Sequence, residues 1–136
     1  MIDFPDLARG SNVVGVGIDQ IEVSRIRESL QHHGETFLRK VFTEKESGFC
    51  LQRSDPAPCL AARFAAKEAV SKALGTGICG EFGWLDSEIQ HQETGQPIVI
   101  FSERTYPLLQ KREASSALVS LSHLKEVASA IVILLK

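Results

Sequence analysis

Apolar and polar positions alternate along this chain in two rhythms, and the switches between them mark the elements. Val13-Val-Gly-Val-Gly-Ile18 is a short apolar run bounded by polar residues, which predicts a buried strand ended by Asp19. Ile21 to Leu30 then reads as an amphipathic helix, with Ile26 and Leu30 on its apolar side and Arg25 and Arg27 on its outer face. Glu35 to Phe42 predicts a second short helix with Phe37, Leu38, Val41 and Phe42 inward and Arg39 and Lys40 outward. Thr43-Glu-Lys-Glu46 has capping-box spacing, so a third helix is expected from Thr43 towards Leu51. Arg53 to Pro58 is a loop by its breakers. Further on, Trp84–Gln92 and Ile98–Phe101 read as strands joined at Gly95-Gln96-Pro97. Ser102–Lys111 predicts a helix whose start is blurred by Pro107, and Leu118–Ser122 and Val127–Leu135 predict two more strands, their connection holding His123. The expectation is an α+β fold in a single domain over residues 1–136, an antiparallel-type sheet from both chain ends and a middle hairpin packed on a central helix. Residues 1–12 read as a leader with little periodicity and no assigned role.

The organising stretch is that central helix, Arg63-Phe-Ala-Ala-Lys-Glu-Ala-Val-Ser-Lys-Ala-Leu-Gly-Thr-Gly77. It starts after Pro56 and Pro58, suited to a first turn because proline lacks the amide that would be orphaned there. It stops at Gly75, a natural left-handed cap. Glu68 and Lys72 lie four apart on one face, with Lys67 and Ser71 beside them. Alanines, Leu60, Phe64 and Val70 fill the rest, leaving no clean solvent face. Charges on a largely buried helix need partners, since an unpaired buried charge is costly. One reading is a surface helix with a Glu68–Lys72 pair; the sharper one is a basic anion pocket with a carboxylate set inside it, able to hold a hard cation against a phosphate.

Composition narrows the field. A chain of 136 residues is one domain with room for a core, and 43% hydrophobic with 24% charged residues is ordinary for a folded soluble protein. A net charge of −2 argues against general nucleic-acid binding. No apolar run reaches membrane-spanning length and no cleavable leader is visible, which points to the cytoplasm. Cys50, Cys59 and Cys79 show neither redox nor zinc-finger spacing and read as reduced, structural thiols. Gly75-Thr-Gly-Ile-Cys-Gly80 matches a dinucleotide fingerprint in letters only: it follows a helix, whereas that motif follows a strand and opens a helix. Its reading is a helix stop and loop whose amides could touch a phosphate. His32, His33 and His91 show no ligand spacing with His123.

Taken in order, Gly17-Ile-Asp19, Ile21-Glu-Val23, Arg25-Ile26, Phe42-Thr-Glu-Lys-Glu46, Arg63–Ala69, Lys72–Gly77, Gly95-x-Pro97 and Ser120-Leu-Ser-His123 resemble the holo-[acyl-carrier-protein] synthases, the small bacterial 4′-phosphopantetheinyl transferases. The resemblance runs from about Val13 to the C-terminus. It implies transfer of 4′-phosphopantetheine from coenzyme A to a serine of apo acyl carrier protein, with magnesium, releasing adenosine 3′,5′-bisphosphate and supporting fatty acid biosynthesis. Carried over by motif, Asp19 and Glu68 are the magnesium ligands and Lys72 stabilises charge on the phosphates. Arg63, Lys67, Ser71, the Gly75 and Gly77 amides and His123 are coenzyme A contacts. The serine's proton leaves either to Glu68 or through a metal-bound water.

The resemblance also implies a docking surface for an acidic carrier, with Arg25 at the matching position and Arg27 beside it, and a homotrimer with active sites between subunits. Two departures, Leu124 after the Ser-His pair and Val127 in place of an aromatic, touch the contacts around His123. Two other classes compete: a metal-dependent phosphohydrolase that cleaves coenzyme A in water alone, and a coenzyme A or nucleotide-binding module without turnover.

Overall fold

In the computed structural model, which describes residues 11–136, the chain runs β1 (Val13–Glu22), α1 (Val23–Val41), α2 (Glu44–Leu51), α3 (Ala57–Leu74), β2 (Ser87–His91), β3 (Pro97–Phe101), α4 (Tyr106–Lys111), β4 (Ser116–His123) and β5 (Val127–Leu135). Residues 1–10 of the expected leader lie outside the described residues. Two helical pieces of α1 meet at Gly34, where φ is 48° and ψ −123°; only glycine takes that backbone without strain, so the two short helices read from the sequence become one broken helix. The capping box forms as expected: the Thr43 hydroxyl accepts from the Glu46 amide, and Glu46 Oε1 accepts from the Thr43 amide at 2.9 Å. Tyr106–Lys111 is the only α-helical part of the stretch expected from Ser102, and a 3-10 turn over Glu103–Thr105 precedes it.

The first and last strands pair. β5 is central in an antiparallel sheet of order β1-β5-β4, and β2 with β3 forms a separate antiparallel hairpin. The sheet and hairpin are therefore two, where one sheet was expected. Ala128, Ala130, Val132 and Leu134 of β5 are buried against Ala61, Ala62, Ala65, Ala66, Ala69 and Val70 of α3. Small side chains on both surfaces let helix and sheet approach closely, and burying Val132 and Leu134 is worth about 1.5–3 kcal/mol each. No helix among the described residues is long and apolar enough to cross a membrane.

β1 departs from the expected strand in two ways. It runs on through Asp19 to Glu22, and only one of its faces is covered. A Cβ on Gly17 would sit 2.0 Å from the Ala69 carbonyl oxygen, and one on Gly15 would sit 2.3 Å from that of Ala73. Glycine at both positions lets the strand lie directly on α3. The alternate residues Val16 and Ile18 then face outward and are exposed. Across the sheet they lie in register with Ile133 and Ile131 of β5, and Leu118 of β4 faces Ile133. The outer sheet face is thus an apolar stripe.

Candidate active site

The crossing of β1 over α3 creates the first chemical cluster. Asp19 is the next covered residue of β1 after Gly17, and there it meets the last two turns of α3. Lys72 Nζ donates to Asp19 Oδ1 at 2.8 Å and to the Ile18 carbonyl at 3.1 Å. Glu68, one turn before Lys72, has its carboxyl pushed up, by partial burial first and by the nearby Asp19 charge second, with Lys72 pulling the other way. The hydrogen bond from Lys72 to Asp19 raises the lysine's own titration. Two carboxylates that repel each other, with one cation beside them, form a donor set suited to a divalent ion. Magnesium takes one or two protein carboxylates and fills its shell with water and phosphate oxygens, so a pair without a third ligand fits. No group of three or more metal-ligating side chains occurs among the described residues.

A second cluster lies elsewhere on α3. A cleft of about 450 Å³ is lined by Phe49, Arg53, Cys59, Arg63, His91 and His123 among others, and includes none of Asp19, Glu68 or Lys72. Arg63 is nearly covered, with its guanidinium brought down to about 10 by burial first, while Glu46 opposes the fall and Arg53 adds to it. It remains a cation at neutral pH. Its Nη2 lies 3.0 Å from His91 Nδ1, and a guanidinium can only donate, so His91 carries its proton on Nε2. Burial, then Arg63 and Arg53, lower the imidazole's pKa and keep it neutral. His91 stacks on Phe49, and both guanidiniums lie over the same ring. Arg63 Nε is buried without a partner among the described residues, a free donor on a residue that lines the cleft. The arrangement suits a phosphate.

The other expected contacts are occupied differently. Lys67 is completely buried: its ammonium donates to the Trp84 carbonyl at 2.8 Å and to the Ser87 carbonyl, and pairs with Glu46 Oε1 at 2.8 Å. Those three bonds use all its donors, leaving none for a ligand. Glu46 Oε2 accepts from the Ile89 amide, so one carboxylate joins α2, α3 and β2. Burial lowers the Lys67 pKa, and Glu46 resists that. The buried Ser71 hydroxyl donates to the Glu68 carbonyl at 2.7 Å, fixing the helix turn that carries Glu68. Gly75 and Gly77 have φ of 79° and 65°, and their amides close the helix end on the Lys72 and Ser71 carbonyls. On α1, Arg25 is exposed at a groove with Glu28, His32 and His33, whereas Arg27 pairs with Asp55 at 2.8 Å.

Sequence reasoning missed two features. His91 and His123 show no ligand spacing in the sequence, yet the hairpin brings His91 to the cleft that His123, at the end of β4, also lines; nothing local in the sequence signals this. The cysteines were read as reduced, and the structure corrects that: Cys50 and Cys59 form a disulfide between α2 and α3, while Cys79 is free and exposed. A signal existed in their placement on either side of a proline-bearing loop.

Residues 15–132 match the family model of the 4′-phosphopantetheinyl transferase superfamily. A holo-[acyl-carrier-protein] synthase of Chlamydia trachomatis serovar L2 is 48% identical over 119 residues, 88% of this chain and 97% of the relative. That of Chlamydia pneumoniae is 44% identical over 90% of this chain and 98% of its own length. Among solved structures, the holo-[acyl-carrier-protein] synthase of Neisseria meningitidis superposes with a TM-score of 0.84 at 31% identity, over 91% of this chain and 99% of that one. The Bacillus anthracis enzyme, solved in complex with CoA (3′,5′-ADP), gives 0.77 at 38% identity, over 92% and 98%. With this coverage and identity on a site of matching chemistry, the chain belongs to the 4′-phosphopantetheinyl transferase superfamily, among its holo-[acyl-carrier-protein] synthases.

Proposed function

We propose that this chain is a magnesium-dependent holo-[acyl-carrier-protein] synthase of the cytoplasm, transferring 4′-phosphopantetheine from coenzyme A to a serine hydroxyl of apo acyl carrier protein and releasing adenosine 3′,5′-bisphosphate, a step that serves fatty acid biosynthesis. The observation that carries it is the meeting of Asp19, Glu68 and Lys72 where β1 crosses α3. Magnesium held by Asp19 and Glu68 would neutralise the pyrophosphate and polarise the phosphorus under attack. Lys72 is exposed enough to turn from Asp19 to the phosphates and meet the charge that grows there. Glu68, whose carboxylate holds a proton more tightly than usual, accepts the proton of the attacking serine. Arg63 and His123 bind the nucleotide end of coenzyme A in the second cleft. In this reading Lys67, Ser71, Gly75 and Gly77 hold that machinery in shape rather than touch the substrate.

The two clusters do not line one cleft in a single chain, and the apolar outer face of the sheet is uncovered. Both observations support a homotrimer in which one subunit's carboxylates work with another's arginine cleft. Arg25, with Arg27, supplies the basic surface on α1 for an acidic carrier.

Intact mass of an apo acyl carrier protein after incubation with this protein, coenzyme A and magnesium tests the reading. The expected result is a gain of one phosphopantetheine, abolished by chelating the metal. Loss of coenzyme A with no gain on several apo carriers would replace the transferase with a hydrolase. Binding without turnover would leave a coenzyme A-binding module.

A further inference from the structure

The second cleft has a sulfur in its wall. Cys50 of α2 is fully buried, with its Cα 5.5 Å from that of Cys59 of α3, and the bond between them closes a loop containing Arg53 and Pro56. Cys59 faces the cleft. Its Sγ lies 3.2 Å from Arg53 Nη1 and 3.3 Å from Arg63 Nη1. A disulfide sulfur is neutral and a weak acceptor. A thiolate at the same place faces two guanidiniums, which favour the ionised form of a cysteine. In a glutathione-reduced compartment, disulfides are characteristically those that cycle.

We propose that Cys50 and Cys59 form a reversible thiol–disulfide couple, a modification site for small disulfides such as glutathione disulfide, whose state sets how much positive charge the cleft offers an anion. Cys50 is fully buried, whereas Cys59, though largely covered, lines the cleft, so Cys59 is the sulfur that meets the reagent. In the reduced protein the Cys59 thiolate attacks one sulfur of glutathione disulfide, forming a mixed disulfide and releasing one glutathione thiolate. The Cys50 thiol then gives its proton to solvent, and its thiolate attacks Cys59 Sγ, closing the protein disulfide and expelling the second glutathione thiolate. Two electrons leave the protein and reduce one glutathione disulfide to two glutathiones; two glutathiones run the exchange backwards. Oxidised, the sulfur carries no charge, so Arg53 and Arg63 both present their full positive charge to a ligand's phosphate. Reduced, the thiolate neutralises one of those charges from within.

The ligand and the reducing compartment named here rest on the proposed function, but the placement of Cys59 between Arg53 and Arg63 does not. Protein equilibrated in glutathione redox buffers is alkylated and weighed, and adenosine 3′,5′-bisphosphate binding is measured on the oxidised and reduced forms. This probe has no thiol and so cannot exchange with the bond. Two of the three cysteines are expected to convert together within the glutathione range, and reduction is expected to weaken binding about tenfold, the scale of removing one near-surface charge partner. Cys50→Ser, which leaves the Cys59 thiolate in place in reducing buffer, should bind there at the reduced level, and in oxidising buffer should instead gain the mass of one glutathione on Cys59. No such adduct would overturn Cys59 as the attacking sulfur. The gap between oxidised and reduced forms should close at low pH as the thiolate protonates, since Arg53, Arg63, His91 and His123 face the cleft in both states. A pair that stays wholly oxidised or wholly reduced across the range overturns the couple; equal affinities in the two forms overturn the charge effect. Absence of bisphosphate binding in both forms would count against the coenzyme reading, and inorganic pyrophosphate then serves as the probe of the cleft's charge.

Discussion

Single residues carry both the chemistry and its cost. Glu68→Gln is expected to abolish magnesium-dependent transfer while the protein stays folded; full transfer by the folded variant would remove Glu68 from the metal site. Its pH behaviour has a definite sign. A carboxyl whose folded pKa is raised stabilises the fold when protonated, and that contribution is lost as pH rises through the raised value. Glu68→Gln should therefore melt no lower than the parent at neutral pH. Protons compete with a divalent ion for the same oxygens, so magnesium affinity should begin to fall on acidification above 4.5, the ordinary glutamate value; calorimetric titration at several pH values reads this directly. Lys67 behaves oppositely. Lys67→Met strands Glu46 in the interior, and the expected loss is about 3–5 kcal/mol by denaturant unfolding. A loss below about 1 kcal/mol would mean that Glu46 finds other partners or water. The sequence showed that the charges of the central helix lacked a solvent face and needed partners. It could not show that Lys67 would take Glu46, because the capping motif already gave that carboxylate a local role, and its second oxygen is spent on a strand more than forty residues away.

Among the elements, the contact of β1 with α3 decides whether the site exists. Gly17→Ala would drive a methyl group into the Ala69 carbonyl, an overpacking expected to cost about 1–3 kcal/mol. Because Asp19 lies two residues along the same strand, transfer should fall much further than stability does. A drop in melting temperature with unchanged kcat would contradict this link. On α1, Arg25→Glu should raise KM for the carrier well above any change for coenzyme A; equal changes in both would argue against a docking role. Periodicity made most elements legible, since caps and turns are local: Gly75 closes α3 and Gly95 turns the hairpin, as their neighbours suggested. The sequence reads β1 as a buried strand because a short apolar run bounded by polar residues suggests cover. Here glycines make the covered face and the valine and isoleucine lie outside, a distinction that depends on how near α3 comes.

At the scale of the molecule, the uncovered stripe of Val16, Ile18, Ile131 and Leu118 and the separation of the two clusters have one common consequence. Ile18→Asp should yield monomers in sedimentation equilibrium that keep native circular dichroism and lose transfer. An active monomer would dissociate catalysis from assembly. The sequence alone held no trace of this surface, since the same residues read equally well as core. The pairing of the outermost strands also has a temporal meaning. β1 leaves the ribosome well before its partner β5, so for that interval a nascent chain carries Asp19 on a strand with no neighbour. The bed of α3 is made early, but the strand is fixed on it only once residues 127–135 have emerged. A chain that has emerged only that far can thus hold a finished helix and still lack a fixed Asp19–Glu68 pair, which keeps any chemistry of that pair silent until β5 has followed.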